Sequence, residues 1–228
     1  MIDFCLDILN NYFMQQPAKT KSYVTGAPSK VRSKSKKLQL LDAGLELFAK
    51  KGLNGTTIRD IAKLSGVNSS MISYHYKNKQ GLYKSCIQYI GETQLKFLPE
   101  LLTPAKNKTE YKKTLETLAQ RLIQNFTENK YSGMLLIKEF DLAHSPAEDA
   151  FNSIFSNTFD SLTQFFKQAQ KQKIISADKD GFTLTSFCIG LLFSQLRLDY
   201  IKNKVYGKSL KDTKQRQLFI QHFVYSLT

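Results

Sequence analysis

The sequence predicts an all-α fold of about nine helices: a small N-terminal three-helix domain followed by a larger C-terminal helical domain. Apolar residues recur at intervals of three and four along most of the chain, which is the period of an amphipathic helix. No convincing period-two alternation indicates a strand. Residues 56–76, TTIRDIAKLSGVNSSMISYHY, predict two short helices joined by a tight turn. We place a loosely ordered extension at 1–35, the small domain at 36–90 and the larger domain at 91–228.

The composition favours a polyanionic partner. The 228 residues carry a formal net charge of +14, which would attract the chain to nucleic acid or to an anionic membrane. The cysteines Cys5, Cys86 and Cys188 lie far apart and form no CxxC motif, and the chain has only three histidines. These features predict a cytoplasmic protein in a reducing compartment, without a disulfide framework, a metal site or a cofactor. Because no run of 18 apolar residues occurs, no transmembrane helix is expected.

The N-terminal extension has two parts. Residues 1–14 are apolar but carry Asp3 and Asp7, and they lack the positive start of a secretory signal. This part is either a loosely packed short helix or a stretch that precedes a natural start at Met14. Residues 15–37 hold seven Lys or Arg residues, no acid and several helix breakers, which predicts a disordered basic arm. The arm is either a solvated tail or a segment that contacts DNA phosphates or a minor groove.

Three helices are predicted for the small domain, followed by a fourth that leads out of it. The first covers residues 35–51, ends at Gly52 and has one apolar face, formed by Leu38, Leu41, Leu45 and Phe48. The second begins with a capping box from Thr57 to Asp60 and carries an apolar stripe, formed by Ile58, Ile61, Ala62 and Leu64. The fourth opens at Asn78 and runs to about Leu98.

The third predicted helix has two distinct faces. Gly66 allows the positive φ of the preceding turn, and Asn68 is a suitable N-cap. The residues expected to point inward are Met71, Ile72 and Tyr76, and those expected to face out are Ser69, Ser70, Ser73, Tyr74 and His75. A helix, a turn with glycine and a second helix with small polar residues and tyrosine are typical of a helix-turn-helix.

The segment LLDAGLELFAKKGLNGTTIRDIAKLSGVNSSMISYHYKNKQGLY resembles the N-terminal DNA-binding domain of the tetracycline-repressor (TetR) family of bacterial regulators. The resemblance is carried by Ala43, Leu47, Phe48, Gly52, Thr56, Thr57, Ile61, Ala62, Gly66, Val67, Tyr74, His75, Tyr76 and Lys79. It implies a dimeric transcriptional regulator that binds a palindromic operator. Repression released by a small-molecule effector is the commoner mode in the family, and an activator or a member without a ligand is the alternative. Three positions depart from the usual pattern, namely Gly44, Tyr76 and Gln80; the hydroxyl of Tyr76 needs a partner.

Helix geometry and the resemblance together give the DNA-binding candidates. The second helix of such a motif enters the major groove, and a helix N-terminus attracts phosphate. The resemblance implies that the Tyr-His pair and the following lysine hold the DNA backbone. The candidates are Thr56, Thr57, Asn68, Ser69, Ser70, Ser73, Tyr74, His75, Lys79, Lys36 and Lys37. Alternatively, His75 only packs or caps, and Lys79 is a solvated charge. From residue 34 to residue 90, ten Lys or Arg residues outnumber three acids.

Beyond Pro99 the periodicity alone predicts the structure. A connector is expected at 99–108, and the predicted helices cover about 109–129, 131–143, 147–173, 179–203 and 211–226. Breaks are expected at Ser132-Gly133, at 144–146, near Ser176 and at Tyr206-Gly207.

Two functional surfaces are expected in the C-terminal domain. Phenylalanine is abundant there, so an effector pocket would be apolar or aromatic, with Phe126, Met134, Phe140, Phe155, Phe159 and Phe187 as candidates. Glu139, His144 and Arg197 are the polar residues that would orient a ligand, although each of these side chains also fits an ordinary structural role. By resemblance the last two helices form a homodimer interface, with Leu192, Phe193, Leu196, Phe219 and Phe223 as candidates. Alternatively, these rings and leucines are simply core.

Two other functional classes are considered. No phosphate-binding GxxxxGK[ST], GxGxxG, HExxH or GxSxG motif occurs, so an enzyme is not expected. A non-specific basic protein that binds DNA or a membrane surface is the remaining alternative, because the arm and the net charge alone would suffice for it.

Overall fold

The structure is a computed structural model that describes residues 35–140 and 144–228. The predicted N-terminal helix and most of the predicted basic arm lie outside the described residues. The chain divides into two compact units, Met1–Tyr83 and Lys84–Thr228. The described residues contain helices and no strand, which confirms the all-α prediction.

The first unit contains the three predicted helices, α1 (Lys36–Lys51), α2 (Ile58–Ser65) and α3 (Ser70–Tyr76), and the start of α4 (Lys79–Gln94). Ser35 caps α1, because its side chain accepts a hydrogen bond from the Leu38 N–H. The apolar face of α1 is confirmed at three of its four positions, since Leu41, Leu45 and Phe48 are buried and Leu38 is half-buried. The ring of Phe48 packs edge-on against Tyr83, with 5.1 Å between ring centroids.

The capping box of α2 is confirmed. The Asp60 N–H donates to the Thr57 hydroxyl over 3.0 Å, and the Thr57 N–H donates to the Asp60 carboxylate over 3.1 Å. The predicted apolar stripe is wrong at its ends, because Ile58 and Leu64 are 37% and 47% exposed. A helix of eight residues makes only two turns, and here Ile61 alone on this face is fully buried.

The turn before α3 has the predicted chemistry. Gly66 adopts φ +67° and ends α2 in the left-handed conformation. The Asn68 side chain accepts a hydrogen bond from the Ser70 N–H over 3.0 Å, so it satisfies the first amide of α3. The residue that directly precedes α3 is Ser69, one position later than the predicted cap, and its side chain makes no capping bond. The carbonyl of Asn68 also accepts from the Met71 N–H over 3.0 Å.

The second unit contains the rest of α4 and six further helices. They are α5 (Leu98–Leu101), α6 (Lys108–Glu128), α7 (Lys130–Phe140), α8 (Glu148–Lys171), α9 (Gly181–Tyr206) and α10 (Thr213–Ser226). The described residues therefore contain ten helices rather than about nine. The additional one is the single turn α5, in a stretch expected to be a connector; Pro99 at its start is compatible with a first helical turn.

The predicted break at Ser132-Gly133 is wrong. Both residues are buried inside α7, and the chain turns at Asn129, between α6 and α7. A Cβ on Gly133 would lie only 2.6 Å from the ring of Phe126. The glycine therefore permits a close approach between α6 and α7 and does not end a helix.

In the core of the second unit, α6 contacts the C-terminal end of the chain. The hydroxyl of Tyr111 on α6 donates to the Leu227 carbonyl over 2.8 Å. Its ring stacks on Phe165 with a centroid distance of 5.2 Å. Burial raises the pKa of Tyr111 above its ordinary value, so the phenol stays neutral and serves as a donor. Burial also raises the pKa of Cys188 to about 12, which makes this thiol an inert core group.

Candidate nucleic-acid interface and effector cavity

One face of α3 is buried and the other is open to solvent. Ile72 and Tyr76 are 0% and 6% exposed, and Met71 is half-buried. The opposite face presents the predicted row of Ser69, Ser70, Ser73 and Tyr74, all exposed. Residues 70, 73 and 74 lie on one side of the helix, which is the spacing of a surface that enters a groove. Their orientation is confirmed, and their contact with DNA stays a prediction.

Tyr74 is the most prominent side chain of this face. It is 79% exposed, and its ring packs edge-on against His75 with a centroid distance of 4.8 Å. His75 is half-buried between Tyr74 and Tyr76, so both of the roles considered for it, packing and DNA contact, fit its position.

Several contacts fix the position and the end of α3. The Tyr76 hydroxyl donates to the Lys37 carbonyl over 2.7 Å, which supplies the partner that its sequence context required. Lys77 adopts φ +68° and ψ −50°, and the Asn78 N–H donates to the Tyr76 carbonyl over 2.8 Å. This is a classical γ-turn, a rare and strained conformation for a residue with a Cβ. This turn ends α3 at Tyr76.

Thr56 and Lys79 have structural roles that the sequence analysis missed. The Thr56 side chain is fully buried, and its hydroxyl donates to the Gly52 carbonyl over 2.7 Å. The expectation that this hydroxyl contacts phosphate is therefore wrong, whereas Thr57 is exposed. The Lys79 ammonium donates to the carbonyls of Leu53 and Thr56 over 2.7 and 2.8 Å. It thus anchors the loop between α1 and α2 and is not the solvated charge considered as its alternative.

Positive charge dominates the open surface of the first unit. Glu46 is paired with Lys50 at 2.6 Å, and Asp60 lies 3.6 Å from Lys51. The candidates Lys36 and Lys37 are exposed at the start of α1. Arg59, Lys63 and Lys77 are also exposed and were not among the predicted site residues. Their position beside the turn could have been inferred from the motif, since the first helix of a helix-turn-helix crosses the DNA backbone.

A small apolar cavity lies among the helices of the second unit. Its volume is about 60 Å³, and Thr158 is the polar member of its lining. Of the pocket candidates, Phe126, Phe140 and Phe155 line it, together with Phe151 and Phe193. Three of the rings form a chain of edge-on contacts, with 5.7 Å between the ring centroids of Phe126 and Phe193 and 4.6 Å between those of Phe193 and Phe140.

The other pocket candidates lie elsewhere. Met134 is buried outside the cavity lining, and Phe159 packs against Phe182 with 4.7 Å between ring centroids. Phe187 is 59% exposed, so its assignment to a pocket is wrong. A count of phenylalanines along the sequence does not reveal which side of a helix each ring occupies.

The polar candidates do not form one ligand-orienting group. Glu139 is buried and accepts a hydrogen bond from the Ser145 hydroxyl over 2.7 Å, which is a structural role. The side chain of His144 is 92% exposed and lies 3.8 Å from Glu148. Arg197 is half-buried on α9 and, like Glu139 and His144, is absent from the cavity lining. Among the described residues no cluster of His, Cys, Asp or Glu has the arrangement of a metal site.

The predicted dimer residues are mostly occupied within one chain. Leu192 and Phe223 are buried in the core of the second unit, Phe219 packs against that core, and Phe193 and Leu196 line the cavity. The assignment of Leu192 and Phe223 to an exposed interface is therefore wrong. These residues occupy the inner side of helices whose outer side is also apolar.

The outer side of α9 carries a stripe of exposed apolar residues. We call this the α9 stripe, and it consists of Phe187, Leu191, Leu198, Ile201 and Val205. Its intervals of four, seven, three and four residues follow a heptad, which is the pattern of a helix that packs against another helix. On α10, Leu218 and Tyr225 are also exposed and seven residues apart.

The same helix meets a length-and-composition test for a membrane span, contrary to the sequence expectation. The segment is Gly181–Asp199, and only 28% of its most apolar window is buried. Core helices of soluble proteins pass this test as well, but a core helix is mostly buried. The low burial reflects the α9 stripe, which a second helix would cover.

Comparison with known proteins supports the assignment of the first unit. Residues 40–86 match the family model of bacterial regulatory proteins, tetR family. The chain is 32% identical over 96 residues to the probable HTH-type transcriptional regulator YttP of Bacillus subtilis, which is 42% of this chain and 38% of that protein. It is 26% identical over 116 residues to IcaR of Staphylococcus aureus, the negative transcriptional regulator of the biofilm operon icaADBC. That match covers 50% of this chain and 57% of IcaR.

The whole fold also has solved counterparts. The crystal structure of the transcriptional regulator FadR from Bacillus subtilis in complex with stearoyl-CoA superposes with a TM-score of 0.68. The superposition covers 83% of this chain and 96% of FadR at 14% sequence identity, so it establishes a shared fold. The chain spans about 38% and 57% of the lengths of its matched sequence relatives, and these relatives are transcriptional regulators rather than enzymes. The motif, its geometry and these matches together show that residues 40–86 are similar to the DNA-binding domain of the tetR family of bacterial regulatory proteins.

Proposed function

We propose that the protein is a transcriptional repressor that binds a palindromic DNA operator as a homodimer and is released by an apolar or aromatic small molecule. The observation that carries the proposal is the face of α3, where three exposed serines and the exposed Tyr74 lie opposite the buried Ile72 and Tyr76. A helix held by its inner face presents its outer face as a rigid unit to the major groove.

Base contacts come from Ser69, Ser70, Ser73 and Tyr74, and backbone contacts from the cations around them. Serine hydroxyls both donate and accept, so this face accommodates several base sequences. Thr57 and Arg59 at the start of α2, with Lys36, Lys37, Lys63 and Lys77, are exposed and supply the phosphate contacts. Lys79 acts indirectly, since its ammonium holds the loop that precedes α2.

Dimerisation explains the α9 stripe. Five large apolar side chains in heptad order on one helix would remain in water in a monomer. A second copy offers an identical stripe, and a two-fold axis pairs like with like. Two reading heads one helical turn apart, about 34–36 Å, then bind the two halves of a palindrome. This assembly belongs in the cytoplasm with its DNA and needs no membrane.

The apolar cavity supports a ligand-responsive mechanism. An effector shifts the protein between states only by the difference in its affinity for them. The fold counterpart FadR was crystallised with stearoyl-CoA, and the relative IcaR is a negative regulator. Both facts favour repression relieved by an apolar ligand.

Selection of bound duplexes from a random pool tests the proposal. We expect enrichment of an inverted repeat whose half-sites are centred about 10 base pairs apart, as a two-fold symmetric protein requires. The matched control is a variant with Ser70→Ala and Ser73→Ala, which changes only exposed positions of α3 and should enrich a different or weaker motif.

A non-specific DNA- or membrane-surface binder is the second candidate, favoured by the net charge of +14 and by the apolar segment Gly181–Asp199. Recovery of random duplexes with no common motif, at an affinity that falls steeply with salt, would support this candidate against the repressor.

A further inference from the structure

A groove runs along the surface of the second unit, with α8 on one side and α4, the turn after it and α5 on the other. Its volume is about 520 Å³. At one end the Lys84 ammonium lies 3.8 Å from the Asp149 carboxylate, and further along Gly91 faces Ile154. The two helices therefore run side by side in the same direction. The lining residues on α8 run from Asp149 to Ser161. Because a helix rises about 1.5 Å per residue, the groove extends over about 18 Å.

The groove has polar rims and an apolar floor. One rim carries Gln88, Glu92 and Lys96 at intervals of four, and the other carries Ser153, Asn157 and Ser161 at the same intervals. The floor lies between the rims and consists of Gly91, Leu95, Leu98, Ala150, Ile154 and Thr158. This division places hydrogen-bonding groups at the edges and apolar atoms underneath.

The floor of the groove is also a wall of the apolar cavity. Leu95, Leu98, Ile154 and Thr158 line both spaces, so one layer of side chains separates them. The cavity of about 60 Å³ is smaller than the roughly 300–1,000 Å³ of ordinary small-molecule sites. The groove supplies the missing volume on the other side of that layer.

The contact at Gly91 limits the shape of an occupant. A Cβ on Gly91 would lie 2.7 Å from the Ile154 side chain, so α4 and α8 are packed together here. The half-buried Leu95 and Ile154 side chains line both spaces, so a single aliphatic chain that enters the cavity from the groove would displace only these flexible side chains. A rigid ring system would require the two helices to separate, which breaks close packing along the groove.

We infer that the effector is a linear amphiphile. Its aliphatic chain passes between Leu95 and Ile154 into the phenylalanine-lined cavity, and its head, a carboxylate or similar acceptor, stays between the rims beside Lys96 and Asn157. The inference rests on the proposed role of the second unit as an effector-binding unit and adds the chemical class of the effector. It also accounts for an apolar cavity that ends at a surface with donors.

The sequence contains no tryptophan, so one introduced indole reports on one place. The reporter is Phe193→Trp, because Phe193 is half-buried in the cavity wall. The control is Tyr74→Trp, because Tyr74 is 79% exposed in the other unit. The probe is 9,10-dibromooctadecanoic acid below its aggregation threshold, since bromine quenches indole fluorescence at contact. We expect saturable quenching of Phe193→Trp and none of Tyr74→Trp.

Two matched variants on the reporter background test the position of the head. Asn157→Glu adds a negative charge to the rim, and Asn152→Glu adds one to an exposed position of α8 outside the groove. We expect Asn157→Glu to weaken binding of the brominated acid by roughly tenfold and Asn152→Glu by less than about twofold. Octadecanol, used as an uncharged competitor, should bind both variants alike.

Absence of quenching in Phe193→Trp, or equal quenching of Phe193→Trp and Tyr74→Trp, would overturn the inference. Equal weakening of the acid and the alcohol by Asn157→Glu would overturn the position of the head. Circular dichroism verifies that each variant is folded, and Phe155→Trp, also in the cavity wall, replaces Phe193→Trp if that variant unfolds. Operator binding is measured without lipid on Phe193→Trp, which keeps every residue of the proposed DNA-binding face. Specific DNA binding without quenching would contradict only the inference that the effector is a linear amphiphile. Quenching without specific DNA binding would contradict the proposal that the protein is a transcriptional regulator.

Discussion

At the residue scale, Lys79 combines a position expected for phosphate binding with a structural role. Its ammonium donates to two backbone carbonyls in the loop between α1 and α2, at 2.7 and 2.8 Å. Replacement by methionine keeps the aliphatic stem and removes both hydrogen bonds. We expect Lys79→Met to lower the free energy of unfolding by about 1.5–3 kcal/mol, the range for hydrogen bonds from a charged group.

Urea denaturation of Lys79→Met measures that change. Lys77→Met is the control, because Lys77 is an exposed lysine two residues away whose backbone conformation is set by the turn. Unchanged stability of Lys79→Met, combined with loss of DNA binding, would show that its ammonium serves the phosphate and not the loop.

Asp60 gives the capping box a pH dependence. The hydrogen bond that the Asp60 carboxylate accepts from the Thr57 N–H lowers the pKa of Asp60 below its ordinary value of 3.8. The Thr57 side chain and the positive charge of Lys51 lower this pKa further. A group with a lowered pKa stabilises the fold fully above its ordinary pKa, and the stabilisation is lost as the pH falls through the lowered value. Asp60→Asn should therefore melt below the parent at neutral pH.

The test of that prediction is a series of thermal melts of Asp60→Asn and its parent, from about pH 6 to about pH 3. The gap between the two melting temperatures should narrow as the pH falls below 3.8. A constant gap would mean that the charge of Asp60 contributes nothing to the cap.

At the element scale, α3 separates folding from recognition by its two faces. Tyr74 is 79% exposed, so Tyr74→Ala removes no buried contact and should leave the melting temperature unchanged. We expect it to weaken operator binding by roughly tenfold, within the cost of losing one specific contact. Tyr206→Ala is the control, because Tyr206 is 70% exposed and lies in the other unit. Equal operator affinities of the two variants would contradict the role of α3.

The α9 stripe predicts the effect of charge on assembly. Leu198→Glu places a carboxylate in the middle of the stripe, where two copies would bring like charges together. We expect this variant to be a monomer by sedimentation equilibrium at about micromolar concentration, whereas Asn203→Glu, exposed elsewhere on α9, should remain dimeric. Equal masses for both variants would place the interface, if any, on another surface.

The sequence predicted the helices and turns better than it predicted which side of each helix is buried. The capping box at Thr57 and the turn at Gly66 are local arrangements and are confirmed, and the Asn68 side chain bonds the first amide of α3 although Ser69 is the residue that directly precedes that helix. Burial depends on what packs against a helix. The sequence therefore predicted Leu192 in a dimer surface and Phe187 in a pocket, whereas Leu192 is buried and Phe187 is exposed.

The same limit applies to Thr56, Lys79 and Gly133. The resemblance indicates that a position matters and does not distinguish contact with DNA from support of the loop that makes the contact. Gly133 marked a break in the sequence because glycine weakens helices, yet it accommodates the Phe126 ring inside α7.

At the scale of the whole molecule, the protein combines a basic N-terminal unit with a C-terminal unit that encloses an apolar cavity. The net charge of +14 draws the protein to any DNA, and specificity has to come from the small polar face of α3. Because a single face reads few base pairs, the proposed pairing of two copies through the α9 stripe would be as necessary to the proposed function as the serines are.

The most direct test is fluorescence anisotropy with the duplex that flanks the protein's own gene and a scrambled duplex of equal length, across a salt series. We expect the native duplex to bind at least about 10³-fold more tightly than the scrambled duplex, as is typical of specific regulators. We also expect the affinities for both duplexes to fall as the salt concentration rises. The claim that α3 reads a DNA sequence would be contradicted if the two duplexes bound with equal affinity and if duplexes selected from a random pool also bound no more tightly than scrambled ones.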